Sequence, residues 1–147
     1  MKTHRDNAAT TSGGLSIATV PASARTNQPV NYTIAGRAYL KASTDNLFAL
    51  AGAALAANQL CAFFLLLDAA GTATVSQSAV KAAATNPSGY VAGAFEWPEE
   101  SPTKVCIGAV IVRSGASAFT PGTTSLAGAG VATYVNVIDD LGVAIGY

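Results

Sequence analysis

The sequence predicts an all-β chain: a single β-sandwich or jelly-roll-like domain preceded by an extended N-terminal arm. Three observations carry this. Short apolar segments alternate or run unbroken over strand lengths, turn-forming residues punctuate them, and almost no segment holds a helical period. The 147 residues suit one domain, long enough to bury a sizeable core without disulfides or metals. Residues 1–29 read as the arm and residues 30–147 as the sandwich.

The arm is rich in Thr, Ser, Ala and Asn. Such a segment buries too little to fold alone, so it is expected to become ordered only against a neighbouring chain. In VNYTIAGRAYLK, from Val30 to Lys41, apolar residues fall on even positions. That period predicts a half-buried strand with Val30, Tyr32, Ile34 and Leu40 on one face. CAFFLLL, Cys61 to Leu67, is apolar on both faces, as in a central strand covered on both sides. Asp68-Ala69-Ala70-Gly71 reads as a hairpin turn into TATVSQSAV. Strands are further expected over Tyr90–Trp97, Val105–Arg113 and Val131–Ile138, with a short tail from Gly142. Asp45 to Gln59 is ambiguous between helix and strand: its alanines suit a helix, but Gly52 and the surrounding strands favour a strand plus loop.

Charge is scarce. Asp, Glu, Lys and Arg make up 11% of the chain, eight basic against eight acidic, where soluble proteins average about 25%. A neutral, charge-poor surface promotes association, which suits an assembly subunit. The basic residues are scattered singly, so no nucleic-acid partner is expected. The polar start offers no secretory signal. Leu47 to Leu67 is free of charge, but Asn58-Gln59 near its middle argues against a membrane span.

Candidate chemistry is thin. His4, in the arm, is the single histidine, which removes histidine-based catalysis and metal clusters from consideration. Cys61 and Cys106 lack metal-binding spacing and read as reduced, buried thiols. Glu99-Glu100 and Asp139-Asp140 are adjacent pairs, which do not face each other across a cleft as hydrolytic acids must. The glycines of residues 122–130 lack the lysine of a phosphate loop. Trp97 reads as the seal at a strand end. No catalytic residue, cofactor or metal is expected, and the protein is read as a non-enzyme.

What remains is the 18-residue connection Ser114 to Val131, which holds FTPGTTSLAGAG. Loops normally face water with polar side chains, and this one is small and uncharged. The expectation is a subunit interface built from Phe119, Pro121 and Leu126 of this loop with Phe63 and Leu65 of the central strand, closing a homo-oligomer.

The order NYTIAGRAYLKASTDNL, LLLDAAG, IGAVIV and FTPGTTSL resembles small virion structural proteins of tailed bacteriophages, of the capsid decoration, cement or head-fibre type. The resemblance spans roughly residues 30–138. It implies a β-sandwich or jelly roll that forms trimers on a capsid, with the major capsid protein or another virion protein as partner. It also implies location in the virion, assembled in the bacterial host cytoplasm, with no catalytic residues. Two alternatives stand beside it: a tail or fibre component acting in adsorption, and a carbohydrate-binding β-sandwich. The last requires an exposed cleft lined by aromatics or facing acids.

Overall fold

The computed structural model describes residues 7–82, 98, 101–127, 130–140 and 143–145, and these form an all-β fold. In chain order the strands are β1 (Ala8–Ala9), β2 (Leu15–Ile17), β3 (Ser23–Thr26), β4 (Val30–Ile34), β5 (Arg37–Lys41), β6 (Phe48–Ala49) and β7 (Gln59–Asp68). They continue as β8 (Ala73–Gln77), β9 (Lys81–Ala82), β10 (Lys104–Ser114), β11 (Gly130–Asn136), β12 (Ile138–Asp140) and β13 (Val143–Ile145). The expected strand over 90–97, with Trp97, Glu99 and Glu100, lies outside the described residues.

The largest sheet runs β11-β10-β7-β8, with β9 extending the β8 side of β7. Its two long strands, β7 and β10, are antiparallel, pairing from Lys104↔Asp68 to Arg113↔Leu60. β7 is buried on both faces, as its unbroken apolar run predicts. Cys61, Phe63, Leu65 and Leu67 enter the main core, while Leu60, Ala62 and Phe64 join Ala109, Ile111 and Val135 on the opposite face. A bulge at Ile107 shifts the register. Because one extra residue reverses side-chain parity, Val105 and Ile107 before it and Val110 and Val112 after it all reach the same core.

Smaller sheets β1-β4-β5 and β2-β3-β6 cover this core. β1 and β4 lie against β10, β6 against β8, and β2 against β11. β12 and β13 form a separate antiparallel pair. Residues 45–59 hold β6 and a loop and no helix, the strand-plus-loop reading.

Two expectations are corrected. Residues 8–26 do not wait for a neighbour: β1 pairs with β4, β3 with β6, and Ala9, Leu15 and Ala24 sit in the main core. Three short strands suffice where the sheets needing cover belong to the same chain. Asn7 anchors their start. Its amide donates to the Ser101 and Lys104 carbonyls and its Oδ1 accepts from Ala35 N.

The second correction concerns Val30 to Lys41, which is a hairpin and not one strand. Ala35 (φ 51°) and Gly36 (φ 74°) make the two-residue turn with both central residues left-handed that matches strand twist. Such a turn places Ile34 opposite Arg37, so the core-side residues are even on β4 and odd on β5. Val30, Tyr32 and Ile34 are buried, while Leu40 stands outside.

Candidate interaction surface

The predicted interface residues are not on the surface. Phe63 and Leu65 are fully buried, and Phe119 and Leu126 are nearly so. Pro121 is half-buried. Phe119 packs on Phe63 with ring centroids 6.3 Å apart, and its backbone exchanges two hydrogen bonds with Leu55, at 2.8 and 2.9 Å. Leu126 N donates to the Pro21 carbonyl at 2.8 Å. The loop sends Phe119 and Leu126 into its own chain's core, while Ala116 to Ala118, Thr120, Gly122, Thr123 and Ala127 stay exposed. Four of the five residues expected at a subunit contact, Phe63, Leu65, Phe119 and Leu126, are therefore core residues, and Pro121 alone reaches the surface in part.

The surface that does exist is short of charge. Among the described residues the exposed charged side chains are those of Arg25, Arg37, Asp45 and Lys81, and Lys41, Asp68, Lys104 and Arg113 are half-buried. The segment Ala51 to Ala57 turns Ala51, Ala53, Ala54, Ala56 and Ala57 outward while Leu55 inserts into the core. Side chains hold this loop where strand pairing does not. Gln77 Oε1 accepts from Ala53 N (2.7 Å) and its Nε2 donates to Ala53 O (2.9 Å), a side-chain imitation of a strand ladder. Ser114 Oγ donates to Ala56 O (2.6 Å) and accepts from Gln59 N (2.9 Å). Beside it, Ala116, Ser117 and Ala118 are also exposed.

The most exposed large apolar side chain described is Leu40, at 65%, ahead of Val20 and Val80. It sits on β5, the end strand of its sheet. Pairs in an antiparallel hairpin alternate between bonded and non-bonded, and the pair closing a two-residue turn is bonded. Arg37, Tyr39 and Lys41 therefore bond to β4, and Ala38 and Leu40 direct N–H and C=O outward. Among the described residues nothing meets those groups. Arg37 and Lys41 flank them, with no described carboxylate in ion-pair range; the ion pair described is Arg25–Asp45, at 3.7 Å. Sequence reading missed this edge because Ala35-Gly36 is a weak turn signal beside Asn-Gly. The glycine was the available clue.

Behind β5 the polar groups are occupied. Tyr32 stacks on Tyr39 at 5.7 Å and donates its hydroxyl to the Asp68 carbonyl at 2.8 Å. Burial holds the Tyr32 phenol above its ordinary pKa, with the nearby Asp68 charge adding to the shift. Asp68 Oδ1 accepts from Ala70 N and Thr72 N, which fixes the predicted 68–71 hairpin turn. Burial raises the Cys61 thiol, offset in part by its hydrogen bond from Gln77. Asp45, accepting from Thr19 N at 3.0 Å, is lowered by that contact. Among the described residues no three His, Cys, Asp or Glu side chains gather as a metal site, and no helix is long and apolar enough to cross a membrane. His4 and the Asp139 and Asp140 side chains lie outside what is described.

No protein-family model matches the chain, and no curated protein or solved structure does.

Proposed function

We propose that this chain is a non-enzymatic structural subunit of a phage particle, decorating or cementing the capsid as a homotrimer bound to the major capsid protein or another virion protein. The observation that supports this best is the chemistry of the surface, where small uncharged side chains dominate and four charged side chains are exposed among the described residues. Covering such a surface desolvates few ions, so contact with other subunits carries little electrostatic penalty. The resemblance to virion proteins over residues 30–138 supports the same reading. Small sheets laid over the β7–β10 sheet around one core favour the sandwich architecture such proteins use. With Phe119 and Leu126 committed to the core, the contact surface is sought on the Ala51–Ala57 face and its neighbours, which include the exposed Ala116, Ser117 and Ala118.

The test is mass and location. Light scattering of the purified protein is expected to give about 44 kDa, three 14.7 kDa chains. A map of the particle from which the chain comes is expected to show it in many copies over the shell. A stable monomer at high concentration, together with density confined to the tail or absent from the particle, rejects the proposal.

A further inference from the structure

We propose that β5 is a docking edge for an extended acidic segment of another protein, which adds to the β1-β4-β5 sheet as a further strand. This goes beyond the structural role above and does not depend on it, since the edge can be tested without any particle.

The edge has three properties that a strand-binding site needs. Ala38 and Leu40 direct outward backbone donors and acceptors that no described residue meets. Leu40, 65% exposed, offers an apolar contact on the outer face, where its cross-strand neighbour is Asn31. The strand is held rigidly, by the left-handed Ala35-Gly36 turn at one end and by the buried Tyr32 behind Tyr39.

Charge selects the occupant. Arg37 and Lys41 lie four residues apart on the same face of β5, unmatched by any described carboxylate. Asp68, whose turn places Gly71 beside the Lys41 side chain, is engaged by the N–H groups of that turn. A second copy pairing antiparallel about Tyr39 would set Arg37 opposite Lys41, and like charges directly opposite destabilise a sheet. Cations on an edge are a known guard against self-pairing. A strand carrying acidic residues four apart would instead place a carboxylate opposite each cation, with its intervening apolar residue beside Leu40.

The experiment uses the full chain and a fluorescein-labelled peptide, Gly-Ser-Glu-Val-Thr-Val-Glu-Gly-Ser, read by fluorescence anisotropy. A second peptide has both Glu replaced by Lys. The acidic peptide is expected to bind at least about tenfold more tightly than the basic one, a preference that weakens with salt. Ala38→Pro removes one outward N–H without touching a bond to β4, and is expected to abolish binding. Should that variant not fold, the charge reversal Arg37→Glu with Lys41→Glu decides: it is expected to exchange the two preferences. Equal binding of both peptides, no binding of the acidic one up to millimolar concentration, or a preference unmoved by charge reversal overturns the proposal. So does self-association of the wild type that Ala38→Pro removes, which would make a second copy the occupant.

Discussion

At the scale of single residues, the side chains that decide stability are those that make the loops part of the core. Leu126 is 4% exposed and its backbone is tied to Pro21. Leu126→Asp therefore buries an unpaired charge within the chain and is expected to cost about 3–5 kcal/mol, seen as loss of the folded state in a denaturant melt. Retained stability in that variant would place the side chain at a surface after all. Gln77 is the second such residue. Gln77→Ala removes two hydrogen bonds to Ala53 and is expected to cost roughly 1–3 kcal/mol, with hydrogen exchange accelerating first in residues 51–58. Tyr32 supplies a pH dependence whose sign follows from its burial. Its pKa is raised from 10.0, so its contribution is complete below that value and is lost as pH rises through the folded pKa. Tyr32→Phe gives up the bond to the Asp68 carbonyl, about 1 kcal/mol at neutral pH, and is expected to lessen the loss of stability between neutral and strongly alkaline solution. Tyr134 is raised as well, so some alkaline sensitivity stays in the variant.

At the scale of elements, the two long strands were legible because their composition matches their surroundings. β7 is apolar on both faces and buried on both, and β10 reads the same way. The hairpin of β4 and β5 was not legible as such. Alternation in sequence runs unbroken through Ala35-Gly36, but the two-residue turn exchanges the faces, so pattern alone assigned Leu40 to the wrong side. The same limit applies to the bulge at Ile107, where nothing in VCIGAVIV marks the parity change except Gly108 beside it. That glycine has a physical reason. A Cβ on Gly108 would stand 2.4 Å from the Val135 carbonyl oxygen and 2.4 Å from Leu15 Cδ1. The leucine side chain can turn away, but the backbone of β11 cannot without breaking its ladder to β10. Gly108→Ala is therefore expected to destabilise by several kcal/mol, of the order of an overpacked core site, about 1–3, plus weakened pairing. A thermal melt checks this, and an unchanged midpoint would mean that β11 moves freely against β10.

At the scale of the whole molecule, the candidate interface failed in the sequence for one reason and the arm for another. An uncharged loop reads as a surface for a partner because loops usually face outward, yet Phe119 and Leu126 join Phe63, Leu65 and Leu55 in the core of their own chain. The arm reads as too polar to fold without a neighbouring chain because it is polar on average, and averages hide the few positions that matter. Leu15, Ala24 and Thr26 are buried; Leu15 N donates to Asn136 Oδ1 at 3.0 Å, and β3 carries β6. Deleting residues 1–27 would strip β1 from β4, remove β2 and β3 entirely, and open the core beside Gly108 and Phe48. Burial of one leucine contributes about 1.5–3 kcal/mol, and the lost ladders and Asn7 anchor add to it. Against a total stability of about 5–15 kcal/mol for a domain, the loss is expected to leave no cooperative unfolding transition by circular dichroism. A polar arm that only tethers would give the opposite result: a deletion variant melting at the temperature of the full chain, and altered in attachment alone.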